Sequence, residues 1–440
     1  MKSLFSFILI VASAVAAVSQ QSEPSQSPGT EWDTTPAPLA GQGVRRRPLD
    51  ERAVSNYVTG GIGITQMYTD NAELSNSSQI SDLSYNIEPH IALSHITPRL
   101  SYDAAVAAGF VVNRKLDDRN QATQNAALEL SYHLSQFVVL RLSDSFQNTT
   151  GLWTGPGSGG VGSASAGVGP IQQPNPSLLT YGRFRANTAL VELSGQFSAT
   201  SYAGIRGTQT HTWFPSGATD PVLGPLYGGD TYSAEAFYNH RFSLRNWGGI
   251  TARAQRFDLS QPLGHTDSGS VLFMYAVSIR PTTTLSFFGG PQLSVTSAPA
   301  ETTPGSGFQP RMWSPNAGVI FNADTRTMSG TASYTHGVSD GGGLFSAVTL
   351  DSAEAQIFRR FGRRFEIGPG FTFAESTPIV SGEKVRTYSG SLQSTIRLRD
   401  CSFGAGYSHD NRSGVGSSTA ASSNRIWISF SYDFIRPIGR

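Results

Sequence analysis

From residue 54 to the C-terminus, apolar and polar side chains alternate in arms that are separated by turns or loops. A period of two indicates β-strands, because successive side chains of a strand point to opposite faces, and no segment shows a convincing helical period. We count 18 arms of about 10 to 14 residues. They lie near residues 56–69, 82–95, 98–112, 121–134, 137–147, 183–197, 199–213, 230–241, 245–258, 268–279, 283–296, 312–323, 326–338, 345–358, 364–375, 385–398, 401–410 and 425–434. The pattern predicts an all-β chain.

The connections between the arms differ in length in a regular way. Each even-numbered arm ends in a tight turn, such as ITPRL after the second and HLSQF after the fourth, whereas most odd-numbered arms precede a longer polar or glycine-rich loop. Short turns on one rim and long loops on the other are typical of outer-membrane barrels, whose short turns face the periplasm. We therefore predict an up-and-down antiparallel transmembrane β-barrel over residues 54–440, with short periplasmic turns and longer extracellular loops. Eighteen strands are expected, with 16 as the alternative.

The N-terminus predicts export from the cytoplasm. Lys2 precedes an apolar core around residues 4–11, and small residues follow up to Ser19. This is the layout of a signal peptide, and its apolar core is too short to span a membrane, so residues 1–19 are predicted to be a signal peptide. Residues 20–53 are rich in Gln, Ser, Thr and Pro, which predicts a disordered periplasmic leader that is too short to form a folded plug.

The stretch LELSYHLSQFVVLRLS, residues 128–143, indicates which face of the arms meets water. Only 14 % of the chain is charged, against about 25 % of a soluble domain, yet Glu129 and Arg141 stand inside the two arms of this hairpin. An arginine on the lipid face at mid-bilayer would cost about 2–4 kcal/mol. The charged face is therefore predicted to line the lumen, and centring the hairpin near Ser135 places Glu129 roughly opposite Arg141.

The same arrangement recurs in later hairpins. Glu192 is followed by Arg206 and Glu235 by Arg253, each on the predicted wet face. The wet-face acids whose partners are less clear are Glu88 and Glu354. The sequence thus predicts a lumen lined by cross-strand charge pairs rather than by a ring of one sign. Such pairs either hold the strand register and keep the lumen polar, or they also orient a passing solute.

The last arm, RIWISFSYDF, carries alternating aromatic and aliphatic residues. It resembles the C-terminal assembly signal of bacterial outer-membrane proteins, and Tyr432 and Phe434 match its alternating aromatics. Ser429 stands where that signal usually has glycine, and IRPIGR follows the terminal aromatic. The resemblance implies recognition by the outer-membrane assembly machinery.

The longest loop is the third on the long-loop rim, and over residues 148–177 it contains no Asp, Glu, Lys or Arg. In barrel topology and loop order the chain resembles porins, whose third loop folds into the barrel and narrows the channel. The resemblance implies a neutral constriction anchored by Leu152 or Trp153. The alternative is a mobile surface loop.

The porin-like resemblance implies a passive diffusion channel for small hydrophilic solutes, surrounded by lipid of the bacterial outer membrane. Because porins are often trimers, a homotrimer is one expected assembly. The alternative function is a narrow or closed barrel that acts as a structural or surface-interaction protein. An outer-membrane hydrolase ranks third.

Other chemistry finds little support in the sequence. The eight histidines have no metal-ligand spacing, and Cys401 is the only cysteine, so we expect neither a metal site nor a cofactor. There is no strand-turn-helix motif for a nucleophile, and no catalytic residues are predicted. The net charge of +1 does not favour nucleic-acid binding.

Overall fold

The structure is a computed structural model, and it describes the greater part of the chain from residue 56 onward. The described residues are 56–75, 79–150, 183–215, 219–220, 224–259, 264–297, 311–342, 344–362, 364–379, 384–414 and 420–438. The predicted signal peptide, the predicted leader and the predicted constriction residues Leu152 and Trp153 lie outside these ranges.

Eighteen long strands and one short hairpin account for most of the described residues. The long strands are β1 Tyr57–Thr69, β2 Asp82–Ile96, β3 Leu100–Asn113, β4 Gln121–His133, β5 Val138–Thr150, β6 Arg183–Ser198, β7 Ser201–Trp213, β10 Gly229–Arg241, β11 Asn246–Leu259, β12 His265–Arg280, β13 Thr283–Ser297, β14 Arg311–Asp324, β15 Met328–Gly341, β16 Phe345–Phe361, β17 Phe365–Pro378, β18 Val385–Arg397, β19 Cys401–Gly414 and β20 Ala421–Pro437. The short hairpin consists of β8 Thr219–Asp220 and β9 Gly224–Pro225, and a 3-10 turn spans Asp117–Arg119. Within the described ranges, no helix has the length and apolarity of a membrane span.

The long strands form one closed antiparallel sheet. Each strand pairs with its neighbours in the sequence, β7 pairs with β10 across the short hairpin, and β20 pairs with β1 to close the ring. The predicted up-and-down barrel is therefore confirmed, with 18 strands rather than the alternative of 16. Both described ends of the chain lie on the rim of the short turns, hereafter the short-turn rim; the opposite rim is called the long-loop rim.

Serine and threonine side chains hold several of the short turns. Ser135 Oγ accepts hydrogen bonds from the backbone N–H groups of Phe137 (3.2 Å) and Val138 (3.1 Å). Ser243 and Thr325 play the same role in later turns. These bonds satisfy backbone donors that the turn would otherwise leave unpaired, which explains why such short polar segments suffice.

Contacts between distant strands identify the inner face of the barrel. Phe257 of β11 packs with Val338 of β15 and Ala347 of β16, although β12, β13 and β14 separate β11 from β15 around the ring. Side chains so far apart on a closed barrel can meet only inside it. Arg253 is four residues from Phe257 on β11 and shares its face, so the charged face of these strands points into the lumen.

The opposite face carries exposed apolar side chains. On β20, Ile426, Ile428, Tyr432 and Phe434 are all exposed, whereas the intervening Trp427 is buried. Similar exposed aliphatic and aromatic residues recur around the barrel. A barrel with its apolar set outside and its polar set inside has the polarity expected of a membrane-spanning barrel.

Candidate functional site in the lumen

Five charged side chains occupy one register row on the inner face, on five neighbouring strands. Arg141 of β5 lies opposite Glu192 of β6, which lies opposite Arg206 of β7. Arg206 also lies opposite Glu235 of β10, which in turn faces Arg253 of β11. The signs alternate from strand to strand, and we call these five residues the charge ladder.

The members of the charge ladder make short contacts. Arg206 donates to Glu192 Oε2 from Nε (3.0 Å) and from Nη2 (2.7 Å). Its Nη1 lies 3.8 Å from Glu235 Oε2, and Arg253 Nε lies 3.0 Å from Glu235 Oε1. The Glu192 and Glu235 side chains are only 5 % and 7 % exposed, so their contacts are less screened than those of surface ion pairs. Arg206 thus links two carboxylates, and the row acts as one network.

The structure brings together two of the predicted pairs and changes the third. Glu192 with Arg206 and Glu235 with Arg253 are direct cross-strand neighbours. Glu129 and Arg141 share a face, but they are not opposite one another: Glu129 faces Ser143, and Arg141 faces Ser131. The predicted centring on Ser135 was wrong by one residue, because the Ser135 turn places Val139 opposite His133.

The remaining predicted acids lie elsewhere on the inner wall. Glu88 of β2 is buried opposite Gly63, and Asn86 Nδ2 lies 3.5 Å from its Oε2. Glu354 of β16 lies between Ser333 of β15 and Thr372 of β17 in the register. Neither acid belongs to the row of the charge ladder.

Tyr432 and Phe434, the predicted assembly-signal aromatics, lie at the short-turn end of β20. Both point outward and are exposed, and Phe434 lies opposite Gly60 of β1 at the closing pair of strands. A Cβ on Gly60 would lie 2.6 Å from the Phe434 ring, so the glycine leaves room for the aromatic. Recognition of these residues by the assembly machinery stays a prediction.

One hairpin separates from the wall on its β14 side, whereas its residues Val348 to Leu350 stay paired with β17. β15 pairs with β14 only from Ser329 to His336, and beyond this point its residues pair with β16 alone. β14 continues from Asn316 back to Arg311 paired with β13 alone. The ends of β15 and β16 at the long-loop rim, residues 337–342 and 344–350, therefore form an inner hairpin that separates from β14.

The inner hairpin packs against inner-face residues of the neighbouring wall. The Val338 side chain is buried with Phe257, and Met312 of β14 packs against the same cluster. The Val338 N–H donates to Gln292 Oε1 of β13 at 3.1 Å, and Gln292 is fully buried. Gln292 lies on the register row of the charge ladder, two strands beyond Arg253, so the inner hairpin rests where the ladder ends.

A second segment crosses the lumen from the other side. Leu226 lies just after β9, in the connection between β7 and β10, and it is buried in a cluster with Val348, Leu350, Ala374 and Val385. These partners belong to β16, β17 and β18, nearly half the ring away from β7 and β10. Together with the inner hairpin, this connection narrows the barrel toward the long-loop rim.

Sequence reasoning missed this narrowing, which was predicted for a different loop. Val348 and Leu350 have the inward parity of Glu354, so apolar residues stood on a face predicted to be wet. Pro315 was a second signal, because proline lacks the N–H that a strand in mid-sheet needs, and it lies two residues from the last β14 residue paired with β15. Both signals could have indicated that this part of the wall is not an ordinary barrel strand.

Comparisons with known proteins give structural matches alone. No protein-family model and no curated protein sequence matches the chain. Acinetobacter baumannii OccAB4 is similar at 10 % sequence identity with a TM-score of 0.44, over 87 % of this chain and 99 % of that chain. Pseudomonas aeruginosa OccK2 (OpdF) in complex with glucuronate is similar at 10 % identity and a TM-score of 0.46, over 86 % and 98 % of the two chains. Pseudomonas aeruginosa OpdK with vanillate is similar at 8 % identity and a TM-score of 0.45, over 86 % and 99 %.

Proposed function

We propose that the protein is a passive channel for small hydrophilic solutes in a bacterial outer membrane. The observation that carries the proposal is the charge ladder on the inner wall of a closed barrel whose outer face is apolar. Barrels of about 16–18 strands generally leave an aqueous lumen. A row of charged side chains inside such a barrel gives the lumen a polar wall along which a hydrated solute can exchange hydrogen bonds.

The alternation of sign supports low charge selectivity. The charge ladder holds three arginines and two glutamates, a net charge of +1, and each acid lies between two arginines in the register. A ring of one sign would favour ions of the opposite sign. The charge ladder instead favours neutral or zwitterionic polar solutes, whose dipoles it can align across the lumen.

The inner hairpin and Leu226 support an upper limit on the size of the solutes that pass through the lumen. Both bring apolar side chains into the lumen near the long-loop rim, and a solute has to pass beside them. We therefore expect small solutes to pass and large oligosaccharides to be retained.

Two measurements test the channel. Purified protein in planar bilayers should give discrete conductance steps, and liposomes that contain it should swell in small sugars but not in large oligosaccharides. Steps no larger than the background, together with no swelling, contradict the proposal.

One variant tests the role of the charge ladder. Arg206→Gln leaves Glu192 and Glu235 without the cation between them and should shift the reversal potential toward cation selectivity. Arg359→Gln is the matched control, since Arg359 is an exposed arginine at the short-turn rim with the outward parity of β16. An equal shift in both variants, or no shift in either, contradicts the role of the ladder.

A second candidate is a closed barrel that acts as a structural or surface-interaction protein. It is favoured by the inner hairpin and Leu226, which cross the lumen from two sides. Liposome swelling separates the two functions, because only the channel equilibrates sugars.

The partners follow from the first candidate. Outer-membrane lipid surrounds the apolar face, the solute occupies the lumen, and the assembly machinery recognises Tyr432 and Phe434. A homotrimer is the assembly that we would test first, by mass measurement of the protein in mild detergent.

A further inference from the structure

The short turns of the barrel differ in charge from one part of the ring to the other. Each of the five short turns between β10 and β19 has an exposed arginine, either within the turn or at the strand residue beside it. We call these five arginines the basic rim; they are Arg245, Arg280, Arg326, Arg364 and Arg399. The three short turns between β2 and β7, in contrast, contain Arg99 as their single arginine. Positive charge at the short-turn rim is thus concentrated on one part of the ring.

The arginines of the basic rim form no ion pair with an acidic side chain in the part of the chain that the structure describes. Asp400 is the one acidic residue within these five turns. Asp324 and Glu366, which are close to the turns along the chain, lie on the inner face and contact Arg360 instead. Arg360 Nη2 lies 3.7 Å from Asp324 Oδ1, and Arg360 Nε lies 3.6 Å from Glu366 Oε2. The guanidinium groups of the basic rim are therefore available to a partner outside the chain.

An exposed apolar side chain lies within three residues of each arginine of the basic rim. These side chains, which are between 44 % and 80 % exposed, are Leu244, Ile279, Met328, Phe361 and Leu398. An arginine beside such a residue can lay its aliphatic stem along the apolar surface and hold its charged group at the boundary with water. The basic rim thus lies where the apolar outer face ends, at the level of the lipid headgroups.

We propose that the basic rim binds anionic glycerophospholipids of the periplasmic leaflet, such as phosphatidylglycerol, through their phosphate groups. The inference rests on the membrane location given under the proposed function, where the short turns face the periplasm. A guanidinium group presents paired N–H donors that match two phosphate oxygens, and the acyl chains of the same lipid lie along the apolar face beside the turn. Successive turns are at least about 10 Å apart, because two strands of about 4.8 Å separate them, so each turn can hold its own lipid.

The charge of the basic rim favours an anionic headgroup over a zwitterionic one. An ammonium group in the headgroup would need a carboxylate beside the arginine, and Asp400 is the one carboxylate that these turns contain. A lipid with a net negative charge therefore gains the attraction of the arginines, whereas in a zwitterionic lipid the ammonium group offsets that attraction.

A second copy of the chain offers no complementary surface to the basic rim. Barrels in one membrane have the same orientation, so any rotation axis along the membrane normal, two-fold or three-fold, brings short turns beside short turns. The three short turns between β2 and β7 contain no acidic residue, and the other five carry the basic rim itself. Two basic rims repel each other, and a basic rim beside the acid-free turns finds no anionic partner there.

The test counts lipids bound to the purified protein by native mass spectrometry in mild detergent. Wild-type protein should retain phosphatidylglycerol in preference to phosphatidylcholine with the same acyl chains. Arg326→Gln, Arg364→Gln and Arg399→Gln should each weaken retention at one turn about fivefold, as expected for the loss of one arginine near an anionic headgroup. The variant with all three changes should therefore carry about three fewer phosphatidylglycerol molecules per barrel.

Two further variants separate phosphate binding from a general effect of charge. Arg311→Gln is the matched control, because Arg311 is an exposed arginine at the long-loop end of β14, and Arg326 follows the short-turn end of the same strand. It should leave the lipid count unchanged. Arg364→Lys keeps the charge but loses the paired donors, so it should retain more phosphatidylglycerol than Arg364→Gln and less than the wild type.

Several results would overturn the proposal. They are equal retention of the two lipids by the wild type, equal lipid counts in the triple variant and in Arg311→Gln, or a mass of two or more chains that disappears in the triple variant. Binding to peptidoglycan fragments that the triple variant loses, with an unchanged lipid count, would assign the basic rim to that polymer instead.

Conductance of the same variants separates this test from the channel proposal. If the triple variant shifts the reversal potential and keeps its bound lipid, the arginines act on ions at the mouth of the pore, and the lipid proposal is wrong. A protein that conducts without preferring phosphatidylglycerol contradicts only the lipid site. A protein that retains this lipid without conducting contradicts only the channel.

Discussion

The barrel has two seams that differ in how completely their strands pair. At the closing seam, every residue of β1 pairs with β20, from Tyr57 opposite Pro437 to Thr69 opposite Arg425. At the seam between β14 and β15, pairing ends at Ala317, and the inner hairpin turns into the lumen. Both seams are antiparallel and both carry regular alternation, so backbone pattern alone does not decide whether a seam stays closed.

Side chains that bridge the strands make the difference. At the closing seam, His90 Nε2 of β2 and Asp433 Oδ1 of β20 lie 2.7 Å apart across β1, and this contact is possible because Gly61 between them has no side chain. At the open seam, the Val338 N–H donates to Gln292 of β13, and the Val338 side chain packs on the inner face with Phe257 of β11, instead of Val338 pairing along the backbone of β14. A strand end therefore stays in the barrel wall when its side chains and N–H groups bind residues of the adjacent wall strands.

The largest expected effect comes from removing the partner of the inner hairpin. Phe257→Ala should weaken docking of the hairpin by about 3–5 kcal/mol, the usual cost of removing a buried phenylalanine. Single-channel recordings should then show a larger conductance or added flicker, because the hairpin leaves the lumen for part of the time. Phe273→Ala is the control, since Phe273 is an exposed outward residue of β12. Unchanged recordings for Phe257→Ala would mean that the inner hairpin does not limit the pore.

The next effect is expected at the closing seam. Gly61→Ala would place a Cβ 2.6 Å from Asp433 Oδ1, 2.7 Å from His90 Nε2 and closer still to the Tyr432 carbonyl oxygen. Relief of that overlap should lower the free energy of unfolding by about 1–3 kcal/mol, measured in urea with the barrel in lipid vesicles.

Gly63→Ala on the same strand is the matched control for that variant. Its added Cβ would have its nearest neighbour, the Glu88 carbonyl oxygen, at 3.7 Å, which is ordinary van der Waals contact. If both variants lose the same free energy of unfolding, glycine matters to β1 only through backbone freedom. The contact between His90 and Asp433 would then not stabilise the seam.

A smaller effect is expected at the other end of the closing seam. Asp70 accepts hydrogen bonds from the Asn424 backbone N–H (2.7 Å) and from Asn424 Nδ2 (2.6 Å). Asp70→Ala removes both bonds and should lower the free energy of unfolding by about 1–2 kcal/mol in the same assay. Asp400→Ala, at an exposed turn, is the control. If Asp70→Ala lowers the free energy of unfolding no more than the control does, only the short-turn end of the seam is stabilised by bridging side chains.

Sequence reasoning predicted the wall because the pleat of a strand imposes its period on the residues. The arm near 283–296, for example, is the strand Thr283–Ser297. It also placed Glu192 and Arg206 on one face, since parity within an arm does not depend on the exact turn. Register does depend on the turn, and the hydrogen bonds of Ser135 shift the hairpin by one residue, which places Arg141 diagonally across from Glu129 and not directly opposite it.

The inner hairpin could not be predicted from periodicity. Residues 337–342 and 344–350 alternate in the same way whether they lie in the wall or inside the lumen, and the contacts that decide between the two places, such as Val338 with Phe257, join strands far apart in the ring. The apolar residues Val348 and Leu350 on the inward face were the local sign that water is excluded there.

The smallest expected effect tests which of two features keeps the seam between β14 and β15 open, Pro315 or the docking of Val338. Pro315 offers β15 no N–H, so Pro315→Ala restores a donor on the edge of β14. If docking of Val338 holds the inner hairpin in the lumen, the free energy of unfolding should change by less than about 1 kcal/mol, the worth of one hydrogen bond, and the conductance should stay as it was. Hydrogen exchange at Trp313 and at residue 315, the positions beyond Ala317 whose N–H groups point toward the β15 side, reports whether β15 has rejoined β14. The double variant Pro315→Ala with Phe257→Ala should protect these amides from exchange more than the two single variants do in sum. The reason is that the hairpin rejoins β14 only when the Phe257 side chain no longer holds it and residue 315 has an N–H to donate. Full protection in Pro315→Ala alone would show that the proline, and not the docking, keeps this seam open.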